Sequence, residues 1–185
     1  MKFQKLKIPG PVLIKPEIHK DLRGHFFERY KKKELDLFLG NKINFIQENQ
    51  SLSKKNVFRG FHFQINPFSQ SKLISVYKGK ILDVIVDIRS NSKYFGKFLK
   101  IYLDSENNNS LFIPKGFAHG FFALSEGTVV NYKVDNYYSK IHEKCLLLTD
   151  KKLRLNLTLS TKKKIISKKD KLGMSLNEIF ENKFF

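Results

Sequence analysis

Between Leu73 and Val134 the chain passes through five short segments rich in β-branched and aromatic residues, each closed by turn formers. They are LISVY (Leu73–Tyr77), ILDVIVDI (Ile81–Ile88), FLKIYL (Phe98–Leu103), SLFIP (Ser110–Pro114) and TVVNYKV (Thr128–Val134). Lys78-Gly79, Arg89 to Ser92, Glu106 to Asn109 and Ser125 to Gly127 separate them. Short strands at such regular spacing predict an all-β sandwich, barrel or jelly roll.

The strand-like pattern starts at Asn44. Before it, residues 1–30 form short extended pieces broken by Pro9, Gly10, Pro11, Pro16 and Gly24. Lys31 to Leu39 places Leu35, Phe38 and Leu39 at helical spacing and stops at Gly40, a natural C-terminal cap. Ser175 and Glu178 have capping-box spacing before Ile179 and Phe180, which predicts a short helix over 175–182, with residues 183–185 frayed. No repeat or Gly/Ser-rich linker divides the chain, so 1–185 is read as one domain, long enough to bury roughly 70% of its unfolded surface.

Charge narrows the class less than it first suggests. Lys+Arg number 35 against 17 Asp+Glu, a formal net charge of +18, yet 18 Phe and 7 Tyr exclude a disordered polycation. The lysines are scattered and no nucleic-acid motif with spaced aromatics accompanies them, although Lys162 to Lys164 and Lys168-Lys169 are locally dense. No specific nucleic-acid partner is expected. A single cysteine, Cys145, excludes an intramolecular disulfide and a thiolate zinc cluster. No apolar run has signal-peptide or membrane-span length, so a cytoplasmic protein away from the membrane is expected. Only five of the basic residues are Arg, so each retained Arg marks a need for a planar, bidentate cation; Arg23, Arg59 and Arg89 sit in motifs.

Two histidines stand out by their surroundings. His62 lies in VFRGFHFQ (Val57–Gln64), where alternation turns Arg59 and Phe61 one way and Gly60, His62 and Gln64 the other. His119 lies in IPKGFAHGF (Ile113–Phe121). The Pro114, Gly116, His119 spacing resembles the second box of the cupin superfamily, a jelly-roll β-barrel. The first box resembles that of the metal cupins but carries Gln64 for the second ligand His and Lys72, seven before Gly79, for the ligand Glu. A metal beside that ammonium is electrostatically disfavoured, so no metal is expected. A pocket of His, Lys and Arg suits enolate chemistry instead: His as a base, Lys72 where an oxyanion develops, and a strand tyrosine, Tyr132, to return a proton.

Several further stretches, in order, narrow the resemblance. They are DLRGHFFE (Asp21–Glu28), FIQENQSLS (Phe45–Ser53), FRGFHFQ (Phe58–Gln64), QSKL (Gln70–Leu73), GKILDVIVDIR (Gly79–Arg89), Ile113 to Phe121, and SKKD (Ser167–Asp170). Over roughly 8–172 the chain resembles the dTDP-4-dehydrorhamnose 3,5-epimerase family. The resemblance implies that His62 removes protons from C3 and C5 of a 4-keto sugar, Asp170 orients His62, Lys72 stabilises the enolate and Tyr132 reprotonates. It further implies that Arg59 and His119 bind the sugar and pyrophosphate, while Arg23, Glu28, Gln47 and Asn49 hold the nucleotide, some from a partner subunit. Tyr138 would stack on the base, with Glu143 and Lys169 at the same mouth. The family uses no cofactor, takes a nucleoside diphosphate 4-keto-6-deoxysugar and forms homodimers by exchanging N-terminal strands. A 3-epimerase, a 3,4-ketoisomerase and a non-catalytic sugar-nucleotide-binding cupin remain open alternatives.

The chain departs from the family at Asn56 and Phe58, where Gly and Leu are usual, at Ser92 to Tyr94, and at Leu148 to Lys151, which lacks a Trp and a Pro. Asp83 and Asp87 share one face of their strand, which either lines the barrel or is solvated. Asp170 has an alternative as part of a solvated basic run, and Arg23 as a surface ion pair with Asp21. Arg89 is read as closing a turn.

Overall fold

The computed structural model describes residues 1–155 and 164–185. Lys162 and Lys163 of the dense lysine run lie outside them. In chain order the elements are β1 (Lys2–Lys5), β2 (Val12–Lys15), β3 (His19–Asp21), β4 (Gly24–Phe26) and α1 (Lys32–Leu39). They continue with β5 (Gln47–Ser53), β6 (Val57–Gln64), β7 (Lys72–Lys78), β8 (Lys80–Asp87), β9 (Phe98–Asp104) and β10 (Ser110–Ile113). The last are β11 (Phe117–Ala123), β12 (Thr128–Val134), β13 (Glu143–Cys145), β14 (Ile165–Ile166) and α2 (Leu176–Asn182).

The five predicted strand runs are β7 to β10 and β12. They fold into two facing sheets, ordered β1-β2-β10-β7-β12-β5 and β13-β6-β11-β8-β9, with β14 added in parallel to β6. This is the expected jelly-roll barrel. Alternation along each strand sends one set of apolar side chains between the sheets: Ile74, Val76, Leu111, Ile113 and Val130 from one, and Ile81, Ile85, Leu103, Phe117 and Phe121 from the other. That plug fills one end of the barrel. The outer face of the first sheet is covered by α1 through Leu35 with Val12, Ile14, Leu73 and Phe112. The outer face of the second packs Phe58, Phe61, Phe63, Val84 and Phe122 against the C-terminal segment through Leu146, Leu153, Leu176 and Ile179.

The sequence expectations for both helices hold. Gly40 ends α1 at φ 71 with its N–H on Asp36 O, and Ser175 and Glu178 form the reciprocal capping box of α2. The frayed terminus does not: Ser90 donates from its N–H and its hydroxyl to Phe185 O, and Phe184 and Phe185 lie against Phe63. Asn56, at a family glycine position, has φ 69, a left-handed conformation that Asn tolerates better than most residues. No helix among the described residues is long and apolar enough to cross a membrane.

Candidate active site

The end of the barrel that the apolar plug leaves open is a cavity of about 370 Å³. Its walls come from both sheets. The first sheet supplies Gln47, Asn49 and Ser51 of β5, Lys72 of β7 and Tyr132 of β12; the second supplies Arg59, His62 and Gln64 of β6, His119 and Phe121 of β11, and Glu143 of β13.

His62 is held from behind. Its Nε2 lies 2.7 Å from Asp170 Oδ1, and Gly60 N–H reaches Asp170 Oδ2 at 3.3 Å. Burial alone would raise the Asp170 carboxyl, but the bonds from His62, Gly60 and Ser167 bring it below its ordinary value. The carboxylate is therefore ionised, Nε2 is the donor, and Nδ1 is left as the nitrogen able to accept a proton. Asp170 is 4% exposed, so the solvated-run alternative is overturned.

Lys72 is buried, and its Nζ donates to His62 O at 3.1 Å. Burial holds its ammonium down to about 8, against the pull of Glu143 and Asp83. Tyr132 lies on the opposite sheet from His62; burial and the Glu143 carboxylate push its phenol above its ordinary value, so it carries its proton at neutral pH.

A second histidine–carboxylate pair sits deeper. His119 Nε2 donates to Asp83 Oδ2 at 2.8 Å, and both residues are buried. Asp83 thus faces the barrel interior, which resolves its two sequence alternatives. Burial lowers His119, more than Asp83 raises it. Asp87, on the same face four residues on, pairs instead with Arg89 at 2.6 Å at the other end of the barrel. At the mouth, Glu143 accepts from the Tyr138 hydroxyl at 2.8 Å and from Lys169 Nζ. Gln47 supports the same rim, donating to Asn49 Oδ1 and accepting from Tyr138 N–H.

The structure corrects the alternation expected along β6. Pairing runs His119 with His62 but Phe121 with Arg59, so β6 carries one extra residue between the paired positions. This bulge turns Arg59 to the same cavity as His62, while Phe61 joins the outer core beside Phe58. Arg59 is tied to β5 through Ser53 Oγ and Leu52 O, both at 3.0 Å. Gly60 and Gly120 make the bulge fit: a Cβ on Gly60 would meet Gly120 Cα at 2.4 Å, and Gly60 holds φ +129.

Gln64, standing where metal cupins have a ligand, is spent on the rim. Its amide donates to Phe68 O and Tyr137 O and accepts from Ser139 N–H. Arg23 and Glu28 are not among the residues that line the cavity of their own chain. Arg23 pairs with Asp21 at 2.6 Å on an exposed hairpin, and Glu28 lies by Lys31. Ser51, Gln70 and Phe121 line the cavity without having been singled out from the sequence. Ser51 had a signal, since it shares the parity of Gln47 and Asn49; its hydroxyl is buried with no hydrogen-bond partner among the described residues.

With this geometry in hand, comparison with known proteins identifies its setting. The family model for dTDP-4-dehydrorhamnose 3,5-epimerase matches residues 5–178. A dTDP-4-dehydrorhamnose 3,5-epimerase of Shigella flexneri is 39% identical over 170 residues, 92% of this chain and 93% of that protein. One of Escherichia coli is 36% identical over 183 residues, covering 99% and 98%. A crystal structure of dTDP-6-deoxy-D-glucose-3,5-epimerase from Legionella pneumophila, in complex with dTDP-4-keto-L-rhamnose, superposes with a TM-score of 0.93 at 36% identity, covering 99% of this chain and 96% of that one. The chain that builds this two-walled cavity belongs to the dTDP-4-dehydrorhamnose 3,5-epimerase family.

Proposed function

We propose that this protein converts dTDP-4-dehydro-6-deoxyglucose to dTDP-4-dehydro-L-rhamnose, inverting C3 and C5 beside the 4-keto group. One observation carries the reading: a carboxylate-backed imidazole, His62–Asp170, stands on one sheet and a protonated phenol, Tyr132, on the sheet that faces it, with the Lys72 ammonium bonded to the backbone of His62. His62 Nδ1 takes the proton from the carbon next to the ketone. The electron pair moves into the ring bond, and the negative charge gathers on the 4-oxygen beside Lys72. Tyr132 gives a proton to the other face of that carbon, and the enolate reverts to the ketone. Arg59 and His119 hold the sugar and diphosphate. Gln47, Asn49, Tyr138, Glu143 and Lys169 form the nucleotide end, with Tyr138 against the base. No oxidant or cofactor is needed.

Residues 1–185 act as one domain within a homodimer that exchanges N-terminal strands. This reading is supported by the exposed β3–β4 hairpin, with Leu22 and Phe26 in solvent and its Arg23 remote from its own cavity. We place the enzyme in the cytoplasm, where an unpaired cysteine stays reduced.

The test is incubation with a dTDP-4-keto-6-deoxyhexose in deuterium oxide, followed by NMR of the product. Deuterium at both C3 and C5 is expected. Label at C3 alone would convert the reading to a 3-epimerase, and binding without any label would reduce the protein to a sugar-nucleotide-binding cupin. Light scattering should give the mass of two chains; a fully active monomer rules out the exchanged dimer.

A further inference from the structure

We propose that the far side of His62 is a capture site for a thiophilic divalent cation such as zinc, formed by His62, Asp170 and Cys145, at which the ion silences the base. Cys145 is the residue paired with His62 across β13 and β6. The thiol sulfur, an imidazole nitrogen and a carboxylate oxygen of the three residues all lie within 4.8 Å of one another. Their surroundings differ: Cys145 and Asp170 are buried, while 31% of the His62 side chain is exposed to the cavity and offers the ion a way in.

Sulfur, nitrogen and oxygen donors together suit zinc, whereas magnesium and calcium prefer all-oxygen sites. Zinc bonds of about 2.0–2.3 Å place tetrahedral donors roughly 3.3–3.6 Å apart. The His62–Asp170 contact at 2.7 Å must therefore open slightly, and the sulfur, which lies within 4.8 Å of the other two donors, must close to that same spacing. Zinc is commonly four-coordinate, so a water would fill the fourth position. This is not the metal position of the cupin boxes, where Lys72 and Gln64 stand in place of two ligands. The Lys72 ammonium bonds the backbone of His62, and the proposed site lies on the Asp170 side of the ring with a carboxylate and a thiolate to offset the ion.

The proton balance is simple and no electron is transferred. The thiol releases its proton to solvent. The proton on His62 Nε2 is relocated, through solvent, to Nδ1. Zinc then bonds Nε2, the Asp170 carboxylate and Sγ. Nδ1 has become an N–H and can no longer accept a proton from carbon. The loss of turnover rests on His62 being the base, as proposed above; the binding does not.

The test titrates metal-stripped full-length protein with cobalt(II) and then with zinc, following absorption and the deuterium-exchange reaction in parallel. One cobalt per chain is expected, with a thiolate-to-cobalt charge-transfer band that zinc abolishes. Turnover should fall at least tenfold as zinc fills the site and return with chelator, and magnesium at equal concentration should do nothing. Cys145→Ser and Cys145→Ala should turn over substrate without added metal, lack the band, and need at least tenfold more zinc for the same inhibition. Absence of the band in the unaltered protein overturns the site. So does an unchanged zinc response in a Cys145 variant that still turns over substrate. A filled site with undiminished turnover overturns the silencing of His62. Because absorption reports binding whether or not the protein epimerises anything, failure of this site and failure of the functional reading are told apart.

Discussion

In the proposed mechanism Asp170 acts without touching the sugar, by fixing through its 2.7 Å contact which nitrogen of His62 carries the proton. Asp170→Asn keeps the size of the side chain but removes the charge that stabilises the imidazolium formed during abstraction. The expected outcome is a drop in kcat on the order of 10²–10⁴-fold, with the protein folded and KM little changed. Stopped-time NMR of deuterium uptake measures it; a loss under tenfold removes Asp170 from this role. Lys72, in its proposed role, should set the alkaline side of the activity. Its ammonium is held down to about 8, so the charged form that stabilises an enolate predominates below that pH and is lost as pH rises through it. The value of kcat/KM should therefore fall about tenfold per pH unit above about 8, because the free enzyme then lacks the cation. A profile flat to pH 10 would show that Lys72 is not needed in its charged form. His62, His119 and Lys72 were legible because motif spacing marks them. Asp170 was legible only through family resemblance, since its burial depends on a distant segment packing against β6. Asp83 and Ser51 could be placed on a face but not assigned an interior, because alternation gives parity and not direction.

At the scale of elements, the bulge in β6 decides the site. Strict alternation would turn Arg59 away from His62, and one extra residue brings them to a common wall. The sequence carried a hint in Gly60, but nothing local predicts where an opposing strand inserts its offset; that depends on the pairing with β11. Gly60→Ala adds a Cβ at 2.4 Å from Gly120 Cα, in a backbone conformation with φ +129. It should cost about 3 kcal/mol or more, a fall of roughly 6–12 °C in Tm for a chain of this length. Calorimetry checks this, and a shift under 2 °C would mean the strands separate freely there. The helices were more legible than the bulge because their signals are local: the stop at Gly40 and the Ser175–Glu178 box each sit within a few residues of the element they terminate. The chain end was misread for the opposite reason. Phe184 and Phe185 are ordered by Phe63 and Ser90, which are distant in sequence.

For the whole molecule, the charge of +18 comes mostly from scattered lysines, while Arg59 and Lys72 are the cationic residues that line the cavity. It should act on encounter rather than chemistry. Raising ionic strength from about 0.05 to 0.5 M should lower kcat/KM for the anionic nucleotide sugar about fivefold or more while leaving kcat nearly constant. Steady-state kinetics at several salt concentrations test this; equal losses in both would place the charges in the chemical step. The barrel's two walls have a wider consequence. His62, the proposed base, belongs to one sheet and Tyr132, the proposed acid, to the other, and both sheets are braced by packed cores on their outer faces. Neither group can follow the substrate around. With those roles a carbon exchanges its proton only while it sits between them, which makes the hexose itself the moving part. After the first inversion the ring has to turn in place, or leave and re-enter, before its second carbon reaches the same pair. On that mechanism the order and completeness of the two inversions are governed by how freely a six-membered ring can tumble in a space of about 370 Å³.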